Sequence, residues 1–365
     1  MVATRPAPAR AVAAPTTRIP VGILGATGTV GQEFLRFLDR HPWFEVRWVG
    51  ASDRSAGKLY RDATSWRLSG DMPGGIGSVT VSECKPGTGA PPLLFSGLDS
   101  SVALEVEGAF AAAGHTIVSN AKNFRMESDV PLLIPEINAD HLSLLKRQRE
   151  GRGWRGQIVT NPNCSTVALA VSLAPLRAFG IRRVVVTTMQ ALSGAGYPGV
   201  PSLDSTANVI PHIAGEEEKI EREAGKILGS LEGGMVTPLD TAISASCNRV
   251  PVIDGHMMSV AVELAEDVSA EQLIGSWRTW RGRPQELGLP SAPASPIHYL
   301  DGVDRPQPRR DASRENGMAV SVGRLRRCPV LGWKFTALVH NTIRGAAGAA
   351  VLNAELMHAD GWLPA

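Results

Sequence analysis

The sequence predicts an α/β fold whose first half is a doubly wound parallel sheet. Three observations support this prediction. A glycine-rich turn joins a short apolar strand to a helix within residues 18–38. Further apolar runs at residues 44–52, 91–98 and 115–121 have the length and composition of buried strands. The chain of 365 residues is also long enough for two domains, each with a core of its own.

The composition is that of an ordinary globular protein, with 43% hydrophobic and 20% charged residues. Lys and Arg number 37 against 35 Asp and Glu, which gives a formal charge of +2. Such a balance argues against a nucleic-acid or membrane partner, because both need a marked basic surface. We therefore expect a small-molecule partner.

The cysteines and the chain start bear on the compartment. Four cysteines lie far apart, with neither the pairing of a disulfide scaffold nor the spacing of a metal site. No apolar stretch reaches the roughly 20 residues that span a bilayer. Residues 1–19 are rich in Ala, Pro and Arg and are predicted to form a disordered tail. The sequence thus favours a cytoplasmic protein without a metal.

Residues 25–31, GATGTVG, have the spacing of a dinucleotide-binding turn. Small residues at three-residue intervals allow a tight turn and the close approach of a pyrophosphate, whose charge is met by free amides at the helix N-terminus. The predicted cofactor contacts in this turn are Gly25, Thr27, Gly28, Thr29, Val30 and Gly31.

The second predicted strand ends in a segment that would face the adenine ribose. Asp53 alone would favour NAD through the ribose 2′-hydroxyl, whereas Arg54, with Ser52 and Ser55, suits the 2′-phosphate of NADP. A solvated turn is the alternative interpretation.

The apolar run at residues 91–98 ends near Ser96 and Gly97. We expect these two residues at the cofactor crevice, because the carboxyl ends of parallel strands share one edge. Together with the glycine-rich turn, these strand ends indicate a Rossmann-type domain.

The segment TNPNCSTVALAV, residues 160–171, places Cys164 just behind a turn. Val167 and Val171 have helical spacing, so Cys164 is predicted in the first turn of a helix. There, unpaired amides and the helix dipole are expected to lower the thiol pKa well below about 8.5. A thiolate beside a nicotinamide suggests thioester formation and hydride transfer. The alternative is an inert, buried thiol.

Thioester chemistry also needs a proton shuttle, and His256 is the candidate among eight histidines. It follows an Asp-Gly turn between two alternating, strand-like runs, which together suggest a hairpin. Arg249 precedes it by seven residues, at the end of the first run. A surface histidine in the hairpin is the alternative.

At this point the chain resembles the aspartate-semialdehyde dehydrogenase family, in the branch found in archaea and fungi. Nine blocks between residues 20 and 357 match that family in order. They are GATGTVGQEF, ASDRSAGK, SNAKNFRMESDVPLLIPEINADHL, TNPNCST, MQALSGAGYPGVPS, EEEK, SASCNRVPVIDGH, DRPQPRRD and HNTIRGAAGAAVLNAE.

The resemblance implies three catalytic residues. Cys164 would be the nucleophile and His256 the acid/base, while Gln190 would orient the thioester intermediate. The sequence departs from the family at Met257, where a threonine is usual, and at the stretch SGLDSS, where the family usually has an Ala-Leu-Pro-Ser type of sequence.

The resemblance also implies five substrate contacts. Arg249 would clamp the α-carboxylate in a bidentate pair, and Glu216 would bind the α-amino group. Lys219 and Arg125 would hold the phosphate, and Asn163 would lie beside the nucleophile. For the charged segment 215–228, a solvated helix face is the alternative interpretation.

Further expectations from the resemblance concern the cofactor and the domains. NADP would also contact Ser193, Gly194 and Asn341. Residues 20–163 and 341–365 would form the NADP-binding domain, and residues 164–340 an α+β catalytic and dimerisation domain. A homo-oligomer, either a dimer or a tetramer, is expected.

The implied reaction is the NADPH-dependent reduction of L-aspartyl 4-phosphate to aspartate semialdehyde and phosphate, a step toward lysine, threonine and methionine. Two alternatives remain at this level. A malonyl-CoA reductase would use the same thioester chemistry on another acyl donor. A catalytically silent relative would bind NADP and act through protein contacts.

Overall fold

A computed structural model describes residue 12 and residues 14–363 of the chain. Most of the predicted tail, residues 1–11 and 13, lies outside the described residues, and the first strand begins at Ile19.

The first half contains a six-stranded, wholly parallel sheet. Its strands are β1 (Ile19–Leu24), β2 (Phe44–Ala51), β3 (Ser82–Glu83), β4 (Leu93–Ser96), β5 (Thr116–Ser119) and β6 (Gln157–Thr160). They lie in the order β3-β2-β1-β4-β5-β6. The order reverses at β1, next to the glycine-rich turn, which is where doubly wound sheets bind their ligands.

Helices cover both faces of this sheet. The helices of the first half are α1 (Thr29–Phe37), α2 (Tyr60–Ala63), α3 (Ser100–Ala113), α4 (Pro135–Asn138), α5 (Leu144–Arg152) and α6 (Cys164–Leu173), of which α6 packs in the core of the second half instead. Phe34 of α1 packs with Phe95 on one face. Phe110 of α3 packs with Leu94 on the other face. Burial on both faces explains why these strands are nearly continuous apolar runs.

The second half is built on a mixed sheet. Its strands are β7 (Ile181–Gln190), β8 (Ser230–Glu232), β9 (Met235–Thr237), β10 (Ala242–Arg249), β11 (His256–Leu264), β12 (Ile297–Leu300), β13 (Val320–Cys328) and β14 (Gly332–Val339). Strands β8 and β9 form a separate hairpin, and the others lie in the order β10-β7-β11-β14-β13-β12. The two sheets confirm the predicted fold class.

The second half contains six helices, of which two pack on one face of the mixed sheet. They are α7 (Ser202–Ser205), α8 (Glu216–Leu228), α9 (Ala270–Thr279), α10 (Arg283–Leu287), α11 (Pro308–Asp311) and α12 (Gly348–Ala359). Helices α6, α8 and α9 share a hydrophobic core with the sheet. A π-helical turn, Ile343–Ala347, leads into α12, which returns to the core of the parallel sheet.

Three further facts concern the described residues. None of their helices is long and apolar enough to cross a membrane. Their four cysteines are free, and no group of three or more metal-binding side chains comes together.

Candidate active site

Cys164 is the first residue of α6, as the sequence predicts. The Asn163 side chain caps this helix by accepting hydrogen bonds from the amides of Ser165, at 2.9 Å, and Thr166, at 3.2 Å. The π-helical turn passes close to the thiol, because a Cβ added at Gly345 would lie 2.7 Å from the Cys164 Cβ. The nucleophile candidate therefore lies where the parallel sheet meets the second core.

The thiol of Cys164 does not have the lowered pKa that its helical position suggests. Desolvation by the surrounding protein, with the nearby Glu216 carboxylate, raises the pKa of Cys164 to about 12. The guanidinium groups of Arg125 and Arg249 and the Ser165 amide oppose this rise without overcoming it. The prediction of a low thiol pKa is wrong, because desolvation of this half-buried residue outweighs the helix amides.

The predicted hairpin at His256 is also wrong. Strands β10 and β11 do not pair with each other, since both pair with β7, which lies between them. Arg249 pairs with Gln190 at the carboxyl ends of β10 and β7, and His256 begins β11 at the same edge. This register brings the side chains of Gln190, Arg249 and His256 together.

His256 is fully buried, and its two ring nitrogens differ. Nδ1 accepts a hydrogen bond from the Ala191 amide at 3.0 Å. A neutral imidazole must then carry its proton on Nε2. That Nε2 is buried and has no hydrogen-bond partner among the described residues. Burial, helped by Arg249 and His340, lowers the pKa of His256 to about 3. The ring is thus a neutral donor whose free N–H is available to a ligand.

The loop after β7 packs directly on this pair of residues. A Cβ added at Gly194 would lie 2.8 Å from Cε1 and Nε2 of His256 and 3.0 Å from Nη1 of Arg249. Arg249 Nη1 also donates to the Ala191 carbonyl oxygen at 2.7 Å. A predicted cofactor contact, Gly194, therefore touches two residues predicted to act on the substrate.

Glu216 begins α8 and links several of the predicted substrate residues. Its Oε2 accepts from Asn163 Nδ2 at 2.8 Å and from Gln190 Nε2 at 3.3 Å, and its Oε1 accepts from Lys219 Nζ at 2.6 Å. Burial opposes ionisation, but the Lys219 charge and the three donors hold the pKa of Glu216 below its usual value. The solvated-face interpretation of α8 is wrong at this position, because Glu216 is buried.

Sequence reasoning missed Glu223, which lies seven residues after Glu216 in α8. Its Oε1 accepts from Arg125 Nη1 at 2.9 Å, and its Oε2 accepts from the backbone amide of Asn163 at 2.6 Å. Arg125 Nη2 also donates to the Asn120 carbonyl oxygen at 2.7 Å. One buried carboxylate thus holds both the candidate phosphate ligand Arg125 and the cap of the nucleophile helix.

Lys226 completes the inward charged face of α8. Its Nζ donates to the carbonyl oxygens of Arg125, Glu127 and Val130 at 2.7–2.9 Å. Burial lowers the pKa of Lys226 to about 8. The charged positions 216, 219, 223 and 226 have helical spacing, and this was the signal in the sequence that could have revealed Glu223 and Lys226.

The predicted cofactor turn lies at the carboxyl edge of the parallel sheet. Gly25 and Ala26 donate to the Gly50 carbonyl oxygen, and Gly28 precedes α1 without a side-chain cap. The first amides of α1 are therefore left for a ligand. A Cβ at Gly31 would overlap the Gly25 carbonyl oxygen and lie 2.6 Å from the Ala26 Cα.

The other predicted cofactor residues of the first half share this edge. Thr27, Thr29 and Val30 belong to the turn and the start of α1, and Ser96 ends β4 beside β1. A Cβ at Gly97 would lie 3.1 Å from a methyl carbon of Val30. Ser52, Arg54 and Ser55 follow β2 in a turn in which the Ser55 amide donates to the Ser52 carbonyl oxygen. These residues therefore follow the carboxyl ends of three neighbouring parallel strands.

Asn341 lies between the two loops that flank His256. Its Oδ1 accepts from the Gly255 amide, and its Nδ2 donates to Ser193 Oγ, each at 2.8 Å. Both ends of this amide therefore bind protein groups.

Comparison with known proteins agrees with this geometry. A family model described as "Semialdehyde dehydrogenase, NAD binding domain" matches residues 20–145, and one described as "Semialdehyde dehydrogenase, dimerisation domain" matches residues 173–344. The aspartate-semialdehyde dehydrogenase of Archaeoglobus fulgidus is 48% identical, with 93% of this chain and 98% of the relative covered. That of Schizosaccharomyces pombe is 51% identical, with 92% and 97% covered.

A solved structure is similar over the same length. The aspartate semialdehyde dehydrogenase of Candida albicans with NADP has a TM-score of 0.87 and 43% identity, with 94% of this chain and 99% of that chain covered. The resemblance first indicated by the sequence motifs is confirmed: the chain belongs to the aspartate-semialdehyde dehydrogenase family.

Proposed function

We propose that this protein reduces L-aspartyl 4-phosphate to L-aspartate 4-semialdehyde and phosphate with NADPH, on the route to lysine, threonine and methionine. The observation that carries the proposal is the convergence of Cys164, Gln190, Arg249 and His256 around the start of α6, next to Glu216. The relatives' names support the same activity.

The cofactor site fits a dinucleotide. The free amides at the start of α1 suit a pyrophosphate, and the Gly31 position leaves room only for hydrogen. We assign Arg54, with Ser52 and Ser55, to the 2′-phosphate, which is the group that distinguishes NADP from NAD. The bound NADP of the Candida albicans relative supports this assignment. NADPH, when bound, supplies a hydride.

The thiol of Cys164 starts and ends the reaction. Its sulfur attacks the acyl carbon of the substrate and a C–S bond forms, while phosphate leaves with the electrons of the broken C–O bond and takes up the thiol proton. A hydride from bound NADPH would convert the thioester into the oxyanion of a thiohemiacetal. Its collapse would release the aldehyde and the Cys164 thiolate, which would regain a proton from solvent. The free Nε2–H of His256 is placed to donate a hydrogen bond to the oxyanion in these steps.

The protonation states of the free protein imply a role for the ligands. Cys164 and His256 are both neutral at pH 7, because burial opposes either charge. In the reverse reaction the oxidised nicotinamide of NADP would carry a positive charge and would lower the pKa of Cys164, while an anionic substrate would raise the pKa of His256 in either direction. Bound ligands thus prepare the pair for reaction.

The substrate contacts follow from the charges around the thiol. We assign Arg249 to the α-carboxylate and Glu216 to the α-amino group, and this combination favours an amino acid over a malonyl group. Lys219 and Arg125 would hold the phosphate. Asn163 and Gln190 hold Glu216 and flank the thiol.

We assign the domains, assembly and compartment as follows. Residues 20–163 and 341–365 form the NADP-binding domain, since α12 packs into the core of the parallel sheet, and residues 164–340 form the catalytic domain. A homodimer or tetramer would cover the outer face of the mixed sheet, where Val185 is 48% exposed beside Ser244 of β10 and Ala261 of β11. Free cysteines favour the cytoplasm.

The test runs the reaction in reverse. Aspartate semialdehyde and phosphate are incubated with NADP or with NAD, and reduced cofactor is followed by absorbance. We expect turnover that requires phosphate and prefers NADP, and that falls by at least about 10³-fold in Cys164→Ala. Cys328→Ala is the matched control and should retain activity. Near-normal turnover of Cys164→Ala, or a preference for malonyl-CoA as the acyl donor in the forward direction, would contradict the proposal.

A further inference from the structure

A buried glutamine fastens the segment after α2 to the glycine-rich turn. Gln32 Nε2 donates to the carbonyl oxygens of Thr27 and Ser65 at 3.2 and 3.0 Å, and its Oε1 accepts from the Arg67 amide at 2.8 Å. Thr64 Oγ1 also donates to the Thr27 carbonyl oxygen at 3.2 Å. Both ends of the Gln32 amide are thus used to hold Arg67 in place relative to the turn.

From this anchored position, Arg67 reaches the other half of the chain. Its guanidinium carbon lies 3.3 Å from the ring centroid of Tyr197, in the loop after β7. A planar guanidinium stacks well on an aromatic face and is attracted by its negative charge density. The two residues are far apart in sequence, so this contact joins a segment beside the cofactor turn to a loop of the catalytic half.

The loop that carries Tyr197 is also the loop that packs on the catalytic candidates. Gly194 lies against the imidazole ring of His256 and the guanidinium of Arg249. Ser193 Oγ accepts a hydrogen bond from Asn341 Nδ2. The base of the loop is therefore fixed by buried contacts. Its far end is different, because Tyr197 is 62% exposed and stacks on Arg67.

We infer that Arg67 and Tyr197 form a strap over the cofactor crevice that positions the bound dinucleotide and slows its release. The inference rests on the proposed NADP site, whose pyrophosphate end is the turn held by Gln32 and whose nicotinamide end is the His256 side. A stacked, exposed pair is suited to this role, because it can open without disturbing a buried core. Arg67 and Tyr197 act as positioning residues and do not touch the reacting atoms.

The test is a double-mutant cycle on the dissociation rate of NADPH, measured by stopped-flow fluorescence. Arg67→Ala and Tyr197→Leu should each raise the dissociation rate by about two- to fivefold, the range for an exposed cation–aromatic contact. The double variant should be no faster than the faster single variant, because either change removes the same contact. Melting temperatures should stay close to that of the unmodified protein.

Two controls separate the strap from a general effect of surface charge. Arg61→Ala removes an exposed arginine six residues before Arg67 in the sequence and should leave the dissociation rate unchanged. Tyr197→Phe retains the aromatic face and should behave like the unmodified protein.

Each remaining outcome would overturn the inference. Unchanged dissociation rates in the single variants, or strictly additive effects in the double variant, would mean that the pair does not hold the cofactor. These results would leave the proposed function intact if the unmodified protein binds NADPH. If the unmodified protein binds no NADPH at all, the proposed function and the strap both fail.

Discussion

The glycine-rich cofactor turn and the catalytic edge around Cys164 differ in the groups that they offer to charged ligands. The turn, residues 25–31, contains no ionisable side chain and offers backbone amides and room. The catalytic edge instead buries Glu216, Glu223, Arg249 and His256 around one thiol. Fixed dipoles need no protonation change, whereas buried charges shift the pKa of every neighbour. We therefore expect substitutions in the turn to act by steric overlap, and substitutions at the catalytic edge to act by changing charge.

The largest expected effect concerns the acidity of Cys164. With a pKa of about 12 against 9.0 for an ordinary thiol, its thiolate at pH 8 is roughly 1,000-fold scarcer than in an unperturbed thiol. The greater nucleophilicity of a basic thiolate offsets part of this, so alkylation should still be at least about tenfold slower. The rate should rise with pH, because only the thiolate reacts.

Cys328 is the internal control for this experiment. Amides of Leu331 and Val330 lower the pKa of its thiol, so it should be labelled first by iodoacetamide. Peptide mass spectrometry at several pH values separates the two sites. Addition of NADP in its oxidised form should accelerate labelling of Cys164 through the nicotinamide charge. Fast labelling of Cys164 at neutral pH without any ligand would show that the catalytic edge does not suppress its charge.

The second expected effect is steric and tests the turn. Gly31→Ala would push a methyl group into the Gly25 carbonyl oxygen, with backbone on either side, and the turn must shift. We expect the NADPH dissociation constant to rise by about 10- to 100-fold, corresponding to the 1–3 kcal/mol of an overpacked site.

Gly28→Ala is the matched control, because its Cβ would lie 3.4 Å from the Gly25 carbonyl oxygen. It should bind NADPH several-fold more tightly than Gly31→Ala. Both constants can be measured by fluorescence titration. Equal losses in the two variants would mean that the turn is not limited by space at Gly31.

The smallest expected effect tests the charge network. Glu223→Gln leaves one acceptor oxygen for two donors, Arg125 Nη1 and the backbone amide of Asn163. One of the two hydrogen bonds is therefore lost. A loss of about 1 kcal/mol would lower kcat/KM for aspartate semialdehyde by about fivefold. Steady-state kinetics with varied phosphate and aldehyde will measure it.

Glu221→Gln is the control on the same helix, where Glu221 Oε1 accepts from the Ala245 amide at 2.9 Å. This hydrogen bond joins α8 to β10 and does not involve the residues around the Cys164 thiol, so activity should be retained. If both variants lose activity equally, the effect comes from α8 as a whole and not from the Glu223 carboxylate.

The local features of the site were largely predictable from the sequence. The glycine spacing located the cofactor turn, and Asn163 before a small, apolar run located the start of the nucleophile helix. Helix capping and turn formation depend on residues a few positions apart, so a short stretch contains the information. The resemblance to the family added the residues that converge on the thiol.

The tertiary structure decided what depends on distant residues. The register of β7 placed Arg249 and His256 at one edge, although the sequence suggested a hairpin. The packing of α8 made Glu223 part of the site, and burial raised the pKa of Cys164 where helix position alone predicted a fall. Desolvation and sheet register are set by groups that meet only after folding, whereas a cap or a glycine turn is set by its immediate neighbours.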